Sequence, residues 1–178
     1  NGTGVGFSCE RQEVAKLPSV PAEMRQSDDV IVVADSKIGW AKALKKFVGS
    51  LYEGDVPKVD YSLIRPHGAS LRTFGGRASG PEPLRRLFDF LANLFKRVAA
   101  EGGRKLNSLE VHDILCCIGE AIVVGGVRRS ALISLSNLSD SRMRHAKDGQ
   151  WWTESPQRRL ANNSVAYTEK PPVDTFME

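Results

Sequence analysis

Hydrophobic and polar positions recur in two rhythms along this chain. Leu84, Leu87, Phe88, Leu91, Leu94, Phe95 and Val98 return three and four residues apart, the spacing of a helix with one buried face. Pro83 suits its first turn, and Gly102-Gly103 mark its end. Trp40, Leu44, Phe47, Val48 and Leu51 repeat that spacing with lysines between them. Asp35-Ser36 can cap this second helix, and Gly54 can stop it. A third helix is predicted from Val111, Ile114, Leu115, Ile118 and Ile122 as its buried face. Asn107 and Glu110 before it have capping-box spacing, and Gly125-Gly126 are expected to terminate it.

The other rhythm is short and extended. Gly4 to Phe7, Val30 to Ala34, Lys58 to Ile64 and Ala131 to Leu135 read as strands. Residues 16–29 read as a loop, and residues 139–162, which include Trp151-Trp152, as a polar stretch before an apolar island at Val165–Tyr167. Strands alternating with long helices predict an α/β fold with a largely parallel sheet.

A length of 178 residues suits one domain. The chain opens on NGTGVGFS and ends on PPVDTFME without a preceding or closing element, so a segment of a longer protein is expected. A net charge of +4 does not by itself argue for nucleic-acid binding, although a basic surface attracts any polyanion, a nucleotide triphosphate included. The three cysteines lack metal-ligand spacing, and adjacent Cys116 and Cys117 do not suit a disulfide. A reducing compartment, the cytoplasm, is therefore expected, which makes the sequons at Asn1, Asn137 and Asn162 coincidental. No apolar run reaches the ~20 residues of a membrane span, and no signal peptide is visible.

Two glycine-arginine stretches carry candidate chemistry. In VVGGVRRSALIS, Val123 to Ser134, two glycines and two arginines lie between a helix-like and a strand-like run. One glycine is explained by a helix C-cap, and the arginines by the negative helix end. A flexible turn bearing guanidinium groups also suits a phosphate or base ligand. In FGGRASGP, Phe74 to Pro81, three glycines, a serine and an arginine precede a helix N-terminus, where backbone N–H groups favour anions. The spacing is not that of a P-loop, and tight turns alone would also explain it. NGTGVGFS departs from the G-x-G-x-x-G fingerprint. His67, His112 and His145 are scattered and are expected at the surface or in turns. Cys116 and Cys117 are expected to be structural, at least one facing the core. No Ser-His-Asp set, Cys-His set or carboxylate pair is evident. The residues alone describe an α/β domain with loops suited to nucleotide phosphates.

NGTGVGFS, FGGRASGP, IGEAIVVGGVRRSALISL and ANNSVAY, in this order, resemble adenosylcobalamin-dependent ribonucleotide reductases, nearest the monomeric ribonucleoside-triphosphate reductases. The resemblance runs from Asn1 to about Tyr167. It implies part of a ten-stranded α/β barrel, namely a first half-barrel segment plus inserted helices, with residues 1–178 a single partial domain. Residues 30–73 would be an insertion forming effector-site elements. It also implies replacement of a ribose 2′-hydroxyl by hydrogen through a cysteine thiyl radical, with adenosylcobalamin as cofactor. The implied partners are a ribonucleoside triphosphate, an allosteric dNTP and thioredoxin or a similar dithiol, on a monomer without nucleic-acid or membrane contact. Gly125, Gly126, Val127, Arg128, Arg129 and Ser130 would form the specificity loop between substrate base and effector. Asp35, Ser36, Lys37, Gly75, Gly76 and Arg77 would contact the effector. Cys9, Cys116 and Cys117 do not match the family's catalytic positions, so no catalytic or metal-binding residue is expected in this segment. Two other readings compete: a non-catalytic nucleotide-binding module related to reductases, and an unrelated α/β domain that reads a polyanion. Half a barrel would expose sheet edges and apolar faces, so poor solubility is expected.

Overall fold

In a computed structural model of the chain, residues 4–71, 76–124, 127–128, 131–167 and 169–177 are described. The helix predicted from the longest apolar stripe is α3 (Glu82–Ala100), which buries Leu84, Leu87, Phe88, Leu91, Phe95 and Val98. Gly102 and Gly103 end it with φ of 95° and 76°, left-handed values that favour glycine. Phe47 of α2 (Lys37–Tyr52) stacks on Phe88 with ring centroids 4.5 Å apart, and Tyr52 meets Phe95 edge-on at 5.0 Å. These rings lock α2 to α3 above a parallel pair, β2 (Arg25–Val32) and β3 (Asp55–Asp60).

A second layer is a three-stranded parallel sheet in the order β1 (Gly4–Ser8), β6 (Ala131–Ser136), β7 (Ala161–Val165). Helix α4 (Ser108–Ala121) lies between the two layers. Val111, Ile114 and Ile118 pack toward the large core around α3, while Cys116 joins Leu132, Leu160 and Ala161 over the small sheet. A capping box starts α4: Asn107 Oδ1 accepts from the Glu110 N–H, and Glu110 accepts from the Asn107 N–H. Short elements complete the described chain: α1 (Arg11–Val14), β4 (Val123–Val124), β5 (Val127–Arg128), α5 (Ser141–Arg144), α6 (Trp151–Glu154), a 3-10 helix (Pro156–Leu160) and α7 (Val173–Met177).

The α/β class with parallel strands is as expected, and several boundaries differ. β2 begins at Arg25, inside the expected loop, with a register shift between Gln26 and Val30. β3 starts at Asp55, ahead of the expected Lys58, because Gly54 at φ 88° turns the chain straight from α2 into the strand. α4 stops at Ala121 rather than at the glycine pair, and Val123–Val124 pairs antiparallel with Val127–Arg128. Two β-branched residues take an extended backbone at little cost once a partner strand is present. The polar stretch 139–162 holds three short helices and the start of β7. The buried face of α4 is broader than its apolar stripe. His112 and Cys116 are fully enclosed, while Ile122 is 47% exposed, because a helix sandwiched between layers buries two faces. No helix among the described residues is long and apolar enough to cross a membrane.

Candidate functional site

The end of β2 and the start of α2 form a tight β-to-α turn. Val33 N–H donates to the Asp60 carbonyl, extending the pairing one step beyond β3's partner residues. Ser36 then caps α2, its Oγ accepting from the Gly39 N–H at 2.9 Å. Gly39 is required there: a Cβ would collide with the Ala34 carbonyl and stand 2.8 Å from the Ala34 Cβ. Asp35 Oδ2 accepts from Arg65 Nε at 2.6 Å, tying this turn to the loop after β3.

That loop leads into a small antiparallel ladder. Gly68 N–H donates to Ala78 O, Ala78 N–H to Ala69 O, and Leu71 N–H to Gly76 O, with Ser70 bridged to Arg77. Gly76 has φ 86°, and Arg77 Nη1 donates to the Gly68 carbonyl at 3.0 Å. His67 Nδ1 lies 3.3 Å from Ser79 O, closing the loop just ahead of α3. Of the proposed effector residues, Asp35 and Ser36 thus sit at the α2 turn, with Lys37 opening the helix. Gly76 and Arg77 sit in the ladder, and Gly75 lies outside the described residues. Arg65 is the link between the two groups.

The glycine-arginine turn follows α4 directly. Val127 and Arg128 form β5, whereas Gly125, Gly126, Arg129 and Ser130 lie outside the described residues. The backbone therefore places Arg128 opposite Val123, in a short hairpin between α4 and the central strand of the sheet.

Beneath α4 lies a polar layer that sequence reasoning missed. His112 is not at the surface or in a turn. It is fully buried on α4, its Nε2 3.3 Å from Asn163 Nδ2 and its Nδ1 3.5 Å from Asp113 Oδ1. Asp113 accepts from Arg158 Nε and Nη2, both at 2.7 Å, and Arg158 Nη1 also donates to the Ala146 carbonyl at 2.7 Å. The signal available in sequence was weak: His112 and Cys116 are four apart, one turn, on a helix whose apolar stripe faces elsewhere. His67 and His145 are exposed, as expected.

The three thiols are buried and free. Burial, with Asp140 and Asp113 nearby, pushes Cys9 up to about 12, and burial with Asp113 does the same for Cys116. Burial also raises Cys117. Thiols so placed are protonated near neutral pH and are poor nucleophiles. Among the described residues no cluster of three or more His, Cys, Asp or Glu suits a metal ion.

The opposite face of the small sheet is open. Strand alternation and register put Gly6, Ile133 and Asn162 in one row, and Ser8, Leu135 and Ser164 in the next. Ile133 is 44% and Leu135 41% exposed, and a Cβ added at Gly6 would meet nothing within 4 Å.

No protein-family model matches the chain. Curated proteins do. The chain is 37% identical over 123 residues to a putative adenosylcobalamin-dependent ribonucleoside-triphosphate reductase of Mycobacterium phage D29, covering 63% of the chain and 18% of that protein. It is 32% identical over 211 residues to the adenosylcobalamin-dependent ribonucleoside-triphosphate reductase of Lactobacillus helveticus, covering 95% of the chain and 27% of the relative. The enzyme of that name from Lacticaseibacillus paracasei is 30% identical over 203 residues, covering 93% and 27%. The chain spans about a quarter, or less, of the length of these relatives.

Proposed function

The chain is homologous, over nearly all its length, to a segment of the adenosylcobalamin-dependent ribonucleoside-triphosphate reductase family, and from that premise we propose that it carries nucleotide-facing and regulatory elements of a ribonucleotide reductase. The observation that carries this reading is the similarity across 93–95% of the chain to enzymes named for that reaction. In it, a ribonucleoside triphosphate loses its 2′-hydroxyl in exchange for hydrogen by way of a thiyl radical. A dithiol such as thioredoxin supplies the electrons. The enzyme would act as a monomer in the cytoplasm.

On this reading the small parallel sheet is part of a ten-stranded barrel and its open face looks inward. Parallel sheets are normally covered on both faces, and α4 covers only one here. The rows Gly6–Ile133–Asn162 and Ser8–Leu135–Ser164 offer bare backbone, two aliphatic side chains and polar groups to a nucleotide. The hairpin bearing Arg128 feeds the central strand, so a change in the turn at residues 125–130 reaches that face directly. This makes the turn the specificity loop, with Arg128 and Arg129 relaying effector identity to the substrate base.

The effector site is assigned to the α2 turn and the ladder before α3, within the inserted residues 30–73 and just beyond them. Asp35 gives one oxygen to Arg65 and keeps acceptor capacity for a ribose hydroxyl. Arg77, exposed apart from its bond to Gly68 O, is suited to a phosphate, with Gly75 and Gly76 allowing close backbone approach.

The described residues do not fit adenosylcobalamin or the radical site. The thiols are buried and protonated, Cys117 in the core around α3 and Cys116 against the covered face of the small sheet, and the open face of that sheet carries no sulfur. Cofactor and reactive cysteines are assigned to the length of the relatives that this chain does not cover. The test is reduction of each ribonucleoside triphosphate by the complete gene product, given adenosylcobalamin, a dithiol and each dNTP in turn. Deoxyribonucleotide formation with effector-dependent base choice is expected. Nucleotide binding without turnover would leave a non-catalytic binding module as the reading.

A further inference from the structure

β7 is a strand without an apolar rhythm. Its sequence is Ala-Asn-Asn-Ser-Val, residues 161–165, and buried apolar residues at every second position, the usual determinant of register, are missing. The adjacent asparagines deepen the ambiguity, since a slip of one residue would bring Asn163 to the place of Asn162 on the open face with the same chemistry. The structure nonetheless pairs Ile133 with Asn162 and Leu135 with Ser164.

The polar layer distinguishes the registers. Asn163 Nδ2 lies 3.3 Å from His112 Nε2, the amide donating to the ring, and His112 Nδ1 lies 3.5 Å from Asp113. Asp113 is held by both Arg158 bonds at 2.7 Å. Arg158 and Asn163 belong to one continuous piece of chain, the 3-10 helix running straight into β7. That piece therefore grips α4 at two points. A one-residue slip would move Asn163 by ~3.3 Å and turn it to the opposite face, and both grips could not then hold. Among the described residues Asn163 Oδ1 and Ser134 Oγ, on paired residues, are buried without partners, so the His112 contact is what orients the amide.

We propose that the buried Arg158–Asp113–His112–Asn163 relay is a register lock, a positioning device that keeps Asn162 and Ser164 on the open face of the sheet, beside Ile133 and Leu135 and in the rows of Gly6 and Ser8. The register claim stands on geometry alone. Its consequence for a nucleotide rests on the function proposed above.

The test uses pairs of introduced cysteines in the complete polypeptide and a short bifunctional thiol reagent. Leu135→Cys with Ser164→Cys reports the observed register, and Leu135→Cys with Val165→Cys reports a slip of one residue. Cys9, Cys116 and Cys117 are buried and do not compete, and mapping of the cross-linked peptides separates the introduced pair from cysteines elsewhere in the polypeptide. In the parent background only the first pair is expected to cross-link. His112→Leu is expected to shift cross-linking to the second pair, and His112→Gln, whose amide oxygen can accept from Asn163, to restore the first. Asn163→Leu, alone or with His112→Leu, approaches the lock from the strand side and guards against a helix that fails to fold. If these variants fold and still cross-link only in the first pair, the lock is overturned. Loss of the first pair with no gain of the second also overturns it, because that is unfolding rather than slippage. A shift in cross-linking with unchanged nucleotide affinity would leave the lock standing and overturn the assignment of the open face to nucleotide.

Discussion

Arg158 grips Asp113 across 45 residues of chain through two parallel hydrogen bonds of 2.7 Å, Nε to Oδ1 and Nη2 to Oδ2. Both side chains are largely enclosed, at 14% and 12% exposure. Fork-to-fork geometry of this kind couples charge to orientation, so the pair fixes where the 3-10 helix lies on α4 as well as neutralising two buried charges.

Removing one partner therefore costs more than removing both. Arg158→Met leaves Asp113 uncompensated and is expected to destabilise the fold by roughly 3–5 kcal/mol, measured by denaturant unfolding. Burial alone would raise the Asp113 carboxyl, but the hydrogen bonds from Arg158, with help from His112, outweigh it and hold the group below the usual carboxylate range. A depressed folded pKa adds stability that is fully present above the unfolded value of ~3.9 and is lost as pH falls through the folded one. The melting temperature should drop on acidification below that value, and the drop should be shallower in Asp113→Asn.

Two glycines should respond in opposite directions. Gly39→Ala drives a methyl group into Ala34 and is expected to cost about 1–3 kcal/mol by overpacking. Gly6→Ala meets open space and should stabilise the isolated fold by ~0.4–1 kcal/mol, since a strand glycine carries excess backbone entropy. In the complete enzyme Gly6→Ala should nonetheless raise KM for the ribonucleoside triphosphate, because the methyl group would occupy the proposed substrate face. An unchanged KM would move the nucleotide elsewhere.

The thiols should be inert in the native state. With Cys9 and Cys116 pushed up to about 12 and all three enclosed, titration with an aromatic disulfide at neutral pH is expected to show no rapid reaction until denaturant is added. Rapid modification of Cys116 would mean that α4 opens from the sheet far more readily than its packing implies.

Arg128→Ala in the complete enzyme is expected to preserve the fold and total reductase activity while flattening the dependence of base choice on effector. The assay is competitive reduction of the four ribonucleoside triphosphates with each dNTP in turn. Base selectivity unchanged across all effectors would remove the proposed role of the turn at residues 125–130.

The helices were legible because their determinants are local. The stripe from Leu84 to Val98, the Asn107–Glu110 box, the Ser36 cap and the glycines at 54, 102 and 103 each specify geometry within a turn of the residue concerned. The α/β alternation was legible for the same reason. β7 was not: Ala-Asn-Asn-Ser-Val resembles a loop, and its strand exists because β6 and α4 supply partners that the sequence places 25 or more residues away.

The sequence by itself thus determined where the chain is helical, which helix faces are apolar and which family the chain resembles, since periodicity, caps and ordered glycine-arginine stretches are properties of neighbouring residues. Only the tertiary structure decided that α4 buries a second, polar face, that His112 belongs to that buried face rather than the surface, and that Asp113 meets Arg158. Burial and pairing depend on which elements are stacked against each other. A histidine four residues before a cysteine carries no mark of that stacking, because the groups that meet it arrive from β1 and β7, while the partner of its neighbour Asp113 arrives from the 3-10 helix.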